Sequence, residues 1–307
     1  MQDEIQFNIK DGIGIITLNR PSALNALNMD MLTAIHQQLL QWEKNEAILS
    51  VLIQSSTPRV FCAGGDIKAV YLAHQKKIKN LSMYFKKEYE LNHYIHNYPK
   101  PYIALLDGLT MGGGAGVSLH GRFRIATEHF SFAMPEAGIG FFPDVGTSYL
   151  LSRLPHEIGV YLGLTGTRIN STEALYVKLI DLDCTNGAQE NHLKNHQILI
   201  EKHFKYNTVE EIFKSLSDDQ HPWAQHTLNV LKQKSPTSLK ITLKLLRNTK
   251  NLSFEECITL EHKLAAYCVE SHDFYEGIRA AIIDKDKKPQ WEPNTLDKVD
   301  KKILDLI

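Results

Sequence analysis

Neither sign of charge is in excess: 34 Lys and Arg against 35 Asp and Glu leave a net charge of −1. No global field therefore draws the chain to nucleic acid or to an anionic membrane, and a polyanionic partner would have to be recognised locally. Cysteine is scarce. Cys62, Cys184, Cys257 and Cys268 lie far apart with no C-x-x-C pair, which signals neither a zinc site nor a disulfide framework and reads as ordinary reduced thiols. No apolar run approaches the roughly 18 residues that a membrane helix needs. Several signatures of known chemistry are also missing. No G-x-G-x-x-G frame fits, no glycine loop ends in Gly-Lys-Ser/Thr, none of the 14 histidines falls in H-E-x-x-H, and no G-x-S-x-G elbow presents a serine. Dinucleotide binding, a Walker loop, a metal site and a serine triad are set aside on these grounds. Residues 1–4 carry acids where a leader carries bases, so a cytoplasmic location is expected, although an organelle form with its targeting segment removed would read the same.

What is present is an ordinary globular composition. A chain of 307 residues that is 43% hydrophobic and 22% charged has material for a sizeable core, in one large domain or one domain with an appendage. Ile5, Phe7 and Ile9 alternate with polar residues, Asp11-Gly12 makes a turn, and Ile13 to Leu18 is a second apolar run, so the chain opens on a hairpin. Ala26 to Glu43 has Met31, Ile35, Leu39 and Trp42 at helical spacing and leads to the buried-strand run Val51-Leu52-Ile53. The pattern recurs in a helix around Leu81 to Tyr98, a strand Tyr102 to Leu106 and a short strand near Arg124 to Ala126. Repeated crossovers imply an α/β core, placed at residues 1–205. From 206 to 307 the segments, including Ser238 to Arg247 and Phe254 to Glu270, read as a helical C-terminal region.

Three stretches have the composition of a site. Phe61-Cys62-Ala63-Gly64-Gly65-Asp66-Ile67 follows a strand and leads into a helix, where glycine permits close backbone approach and N–H groups point outward; a plain strand-to-helix turn also explains it. Asp107 to Gly116 holds five glycines in nine residues, an entropic cost that positive φ or unobstructed N–H groups would justify. Two such loops could converge donors on one oxygen as an oxyanion hole. The third stretch, Phe132 to Gly146, sets Glu136 and Asp144 among apolar, proline and glycine residues. Such surroundings disfavour the charged form of a carboxyl and equip it for proton transfer, while turn formation or helix capping is the structural alternative, above all for Asp144 after Pro143. His120 reads as a packed residue beside the glycine loop, and Ser118 has no evident catalytic partner.

Taken in this order, the stretches resemble the enoyl-CoA hydratase/isomerase (crotonase) superfamily. The likeness begins at Asn19-Arg20-Pro21-Ser22-Ala23-Leu24-Asn25-Ala26-Leu27 and runs through nearly the whole chain. It implies a crotonase-like spiral of ββα units with a helical C-terminal region that in many members mediates trimer contacts. By the same likeness Ala23, Leu24, Ala63, Gly64, Asp66 and Ile67 border coenzyme A, and the N–H groups of Gly65 and Gly113 are the oxyanion donors. Within the superfamily the chain is most similar to the 3-hydroxyisobutyryl-CoA hydrolase branch. The marks are Ala63-Gly64-Gly65-Asp66-Ile67, Met111-Gly112-Gly113-Gly114, His120-Gly121-Arg122-Phe123-Arg124, Ala133-Met134-Pro135-Glu136, Phe142-Pro143-Asp144-Val145-Gly146, and the tail Asp284-Lys285-Asp286 with Pro289 and Trp291. The stretch Phe85 to Asn92 places Glu88 where that branch has a substrate-contacting glutamate.

Hydratases of the superfamily carry their first glutamate two residues beyond the glycine triplet, where this chain has Gly116; the second matches Glu136, and Asp144 stands where hydratases commonly have glycine. The resemblance thus implies an acyl-CoA thioester hydrolase that uses Glu136 and Asp144, with Glu88 and Gly113 also touching substrate. It implies a small acyl-CoA as the partner and no cofactor beyond the coenzyme A of the substrate. An enoyl-CoA isomerase or hydratase is the alternative, followed by an RNA-binding crotonase-like protein. Ser22 departs from the family, which often has lysine there, so a coenzyme phosphate contact is lost or passes to Arg20 or another cation.

Overall fold

The computed structural model describes residues 4–185, 187 and 189–307. Its first element is the expected hairpin: β1 (Ile5–Lys10) pairs antiparallel with β2 (Ile13–Leu18) in the register Ile5 to Leu18. Asp11 and Gly12 have φ of 51° and 77°, the left-handed pair that a two-residue turn requires. The next helix starts later than its apolar spacing predicts, at Met29 instead of Ala26. Asn28 caps it by accepting the Met31 N–H at 2.9 Å. Leu27 is withheld from the helix because it pairs with the first glycine loop, donating to the Gly64 carbonyl and accepting from the Asp66 N–H, both at 2.8 Å. The helix, Met29–Lys44, buries Met31, Leu32, Ile35, Leu39 and Trp42, each contributing roughly 1.5–3 kcal/mol by leaving water.

After the hairpin the chain repeats one motif. β3 (Ser50–Ser55), β5 (Tyr102–Leu106) and β7 (Phe123–Ala126) join a six-stranded sheet in the order β1-β2-β3-β5-β7-β10, where β10 is Leu182–Asp183. β4 (Val60–Cys62), β6 (Leu109–Met111) and β8 (Ser131–Ala133) alternate with them in a second sheet, β4-β6-β8-β9, closed by Ile169–Asn170 as β9. Each turn thus gives one strand to each sheet before a helical segment follows: Ile67–Gln75 after β4, Gly113–Gly116 after β6 and Glu136–Ile139 after β8. Because β4, β6 and β8 run parallel, their C-terminal ends lie side by side, and the three site-like stretches of the sequence leave from those ends.

The chain groups into two units. One comprises the chain to Asp66, Met83–Ala133 and Ile169–Asn191, and holds both sheets. The other comprises Ile67–Ser82, Met134–Arg168 and His192–Ile307, and its described residues are helical or irregular. The division at residue 205 is a proposal about sequence organisation, whereas these units interleave along the chain. Among the described residues, no helix is long and apolar enough to cross a membrane. Replacing Asn28 with Ala is expected to lower the unfolding free energy by about 1 kcal/mol, read as a lower denaturant midpoint at unchanged slope.

Candidate active site

In the unit that holds the sheets, the two glycine loops meet. Gly64 has a φ of 118°, and a β-carbon placed on Gly113 would stand 3.1 Å from the Gly65 nitrogen and 3.3 Å from the Gly64 carbonyl carbon. The same β-carbon would lie 2.2 Å from Oε1 of Glu88, so Glu88 packs on the face of Gly113 that a side chain would otherwise fill. Glu88 is buried at 2% exposure, on the helix Ser82–His96. One turn earlier on that helix, Tyr84 donates its hydroxyl to the Leu27 carbonyl at 2.7 Å and sits where a β-carbon on Gly65 would be, 2.5 Å from the hydroxyl oxygen. Leu27 in turn accepts from Asp66, which ties the first loop to the helix carrying Glu88. The charge of Glu88 is felt locally. Burial, and then Glu88, push the Cys62 thiol up to about 12 and the Tyr84 phenol well above its ordinary range.

The residues expected to border coenzyme A are partly assembled here. The Ala63 N–H donates to the Leu24 carbonyl at 3.0 Å, and Leu24 is 48% exposed beside half-buried Ala23. Asp66 takes Nη1 of Arg20 at 2.8 Å, while Arg20 also binds Glu4 at 2.9 Å and the Ala26 carbonyl at 2.9 Å. Those contacts engage the Arg20 guanidinium within the fold, which weighs against its replacing a lysine at Ser22. Ile67 opens the helix Ile67–Gln75 and falls in the second unit.

That second unit holds Glu136 and Asp144, at 7% and 4% exposure. Glu136 is the third residue after β8 and opens the short turn Glu136–Ile139, which has no side-chain cap. Asp144 does not act as a helix cap: the helix Thr147–Leu151 starts from Gly146 without a side-chain cap, and the Asp144 backbone oxygen accepts from the N–H and the hydroxyl of Thr147, at 2.8 and 2.7 Å. Two further residues, absent from the sequence reading, act on these acids. Lys234 is half-buried, with its ammonium lowered by burial and held up by the charge of Glu136. Glu261 is fully buried and accepts from the Gly146 N–H at 2.6 Å, the Ser148 N–H at 3.2 Å and the Ser148 hydroxyl at 2.5 Å. Burial, with the charge of Asp144 adding to it, pushes Glu261 up to about 8 against the three donors.

Other sequence candidates have structural work. Ser118 bonds back to the Gly114 carbonyl at 2.6 Å, and His120 is buried with its ring edge-on to His96 at 6.3 Å. Asp284 and Asp286 hold the Arg279 guanidinium at 2.6 and 2.7 Å. The four cysteines are free, and among the described residues no group of three or more His, Cys, Asp or Glu could hold a metal ion. Tyr84 and Glu88, four apart on one helix, were open to a spacing argument; Glu261 and Lys234 are linked to the acids only through tertiary structure.

The family model described as enoyl-CoA hydratase/isomerase matches residues 13–186 and 180–307. The chain is 42% identical to a protein of Rattus norvegicus named 3-hydroxyisobutyryl-CoA hydrolase, mitochondrial, over 92% of this chain and 83% of that one. Its identity to the Homo sapiens protein of the same name is 38%, over 97% and 86%. Among solved structures, a carnitinyl-CoA dehydratase from Mycobacterium thermoresistibile superimposes with a TM-score of 0.93 at 32% identity, covering 99% of this chain and 96% of that one. An enoyl-CoA hydratase from Rhodobacter sphaeroides gives 0.93 at 34%, covering 98% and 96%. The fold is therefore the crotonase-like α/β spiral. The expected cytoplasmic location is corrected by these relatives, which are mitochondrial by name.

The shift of Glu261 has a measurable consequence. Its folded value lies above the ordinary 4.5, so the folded chain binds more protons than the unfolded chain between pH 4.5 and about 8. The stability this gives is complete below that window and is lost as the pH rises through it. The expected outcome is a lower melting temperature at about pH 9 than at about pH 6, with the difference reduced in Glu261→Gln.

Proposed function

The chain belongs to the enoyl-CoA hydratase/isomerase family, and from that premise we propose that it hydrolyses the thioester of a short 3-hydroxyacyl-CoA, with 3-hydroxyisobutyryl-CoA as preferred substrate. The observation that carries this reading is the similarity, over more than nine-tenths of the chain, to relatives named for that reaction. The distribution of acids agrees with it: position 116 is a buried glycine in the segment Gly113–Gly116, and an additional buried acid stands at 144.

In the proposed reaction the thioester oxygen accepts the N–H groups of Gly65 and Gly113, which stabilise the negative charge that develops as the carbonyl becomes tetrahedral. Glu136 drives the attack in one of two ways. It adds to the carbonyl itself, expelling the coenzyme A sulfur and leaving a mixed anhydride that water cleaves, or it removes a proton from the attacking water. Either route consumes one water, breaks the C–S bond, and yields the free acid and coenzyme A thiol after proton return to sulfur. The Lys234 ammonium, within Coulomb range of Glu136, offsets part of the cost of burying that acid. Asp144 holds the 3-hydroxyl or assists proton movement, and Glu88 bounds the acyl pocket beside Gly113. Ala23, Leu24, Ala63, Gly64, Asp66 and Ile67 border the coenzyme. The chemistry as proposed draws on no metal and no cofactor beyond the coenzyme carried by the substrate. Self-association through the helices of the C-terminal region belongs to the same proposal, as does a place for the reaction in valine breakdown.

A second reading is favoured by one observation: the two solved structures reported above are titled as a dehydratase and a hydratase, and one crotonase scaffold supports several reactions. Hydration would add water across an enoyl double bond without releasing thiol. The lack of an acid at Gly116 weighs against it.

Thiol release from a panel of acyl-CoAs separates the two. Release is expected from 3-hydroxyisobutyryl-CoA, and loss of the enoyl chromophore without thiol would favour the hydratase. Glu136→Gln is expected to lower kcat by about 10²–10⁴; full thiol release by that variant removes Glu136 from the mechanism. Gly113→Ala drives a methyl group into Glu88 and is expected to cost about 10²–10³ in kcat, while a rate within a few-fold of wild type contradicts the donor role.

A further inference from the structure

One buried acid has no part in the reaction above. Glu261 lies in the helix Phe254–Cys268, at 0% exposure. All three of its hydrogen bonds described above go to the segment that begins with Asp144: Oε2 takes the Gly146 N–H, and Oε1 takes both the N–H and the hydroxyl of Ser148. That segment is strained. Val145 has a φ of 53° and Gly146 one of 78°, and a β-branched residue in the left-handed region is a true outlier that persists only when its surroundings over-determine it. The Asp144 carbonyl closes the turn on Thr147, the Ser148 carbonyl accepts the Thr249 hydroxyl at 3.3 Å, and Glu261 grips the turn from below at two points two residues apart.

Cohesion alone does not require an acid there. A buried carboxyl is a poor stabiliser compared with apolar packing of the same volume, and here a second buried acid, Asp144, lies close enough for its charge to be felt. What the carboxyl supplies, and an apolar side chain does not, is directional acceptance of three donors that set the path of the backbone immediately after Asp144.

We infer that Glu261 is a positioning residue for Asp144: it fixes the Val145–Gly146 turn through Gly146 and Ser148, and so sets the direction in which the Asp144 side chain leaves the backbone. The inference deepens the reading of Asp144 as the group that holds the substrate's 3-hydroxyl, and rests on it.

Three variants of the full chain test this on two substrates, 3-hydroxyisobutyryl-CoA and isobutyryl-CoA, which lacks the hydroxyl. The readout is the ratio of their kcat/KM values for thiol release, with a thermal melt of each variant. Glu261→Gln puts an amide donor against the Gly146 or Ser148 N–H, and the ratio is expected to fall by an order of 10²-fold, the cost of misplacing a group by about 1 Å. Ser148→Ala removes one bond to Glu261 and keeps the acid, so it should lower the ratio by about threefold; it carries the test if the glutamine variant does not fold. Asp144→Asn should lower the ratio as Glu261→Gln does. A ratio unaltered in Glu261→Gln and Ser148→Ala, with reduced melting temperatures, means a merely structural acid and overturns the inference while Asp144→Asn still collapses the ratio. A ratio unaltered in Asp144→Asn overturns the Asp144 reading, and this inference with it.

Discussion

Six carboxyl groups among the described residues are buried to more than nine-tenths, and for four of them, Glu88, Glu136, Asp144 and Glu261, the cost of that burial governs how their surroundings are built. An isolated ionised carboxylate in a protein interior is expensive by several kcal/mol unless donors or cations face it. Each of the two units offsets the cost differently. Around Glu88 the fold supplies glycine backbone in close contact and lets Cys62 and Tyr84 stay neutral, since burial raises both. Around Glu136 it supplies the Lys234 ammonium. Around Asp144 it supplies a second acid, Glu261, whose role is to accept backbone donors instead of to neutralise charge.

Within the unit that holds both sheets, the spiral explains why the two glycine loops leave from one place. Each of its three turns ends in a three-residue strand of the second sheet, and parallel pairing of β4, β6 and β8 lines up their C-terminal ends. Ligands of parallel sheets gather at that edge because backbone donors and loop residues are presented there. The first two turns contribute glycine loops to it. After the third, the chain continues through Met134 and Pro135 to Glu136, which starts the following short turn.

Much of this was legible from the residues. The hairpin, the strand Tyr102–Leu106 and the long helices follow from local periodicity, and the structure differs from them mainly at ends, as at Asn28, where a cap overrides apolar spacing. The second sheet was not legible, because strands of two or three residues are too short to show an alternation and their pairing is set by the turn of the spiral. The glycine loops stood out by density alone, and Glu136 and Asp144 by their apolar neighbours. Glu261 could not stand out. It meets Ser148 across 113 residues of sequence, on a helix whose composition is unremarkable for a surface segment. Lys234 is hidden for the same reason. The expectation of a cytoplasmic location is overturned by the names of the relatives, which are mitochondrial.

The central claim, that water is added to a thioester carbonyl and not to a double bond, is tested most directly by isotope. In water enriched in oxygen-18, with 3-hydroxyisobutyryl-CoA as substrate, the account predicts one free thiol per molecule of acid formed and heavy oxygen in the carboxyl group of that acid. Heavy oxygen at carbon 3 of an intact coenzyme A thioester, with no thiol released, would contradict it.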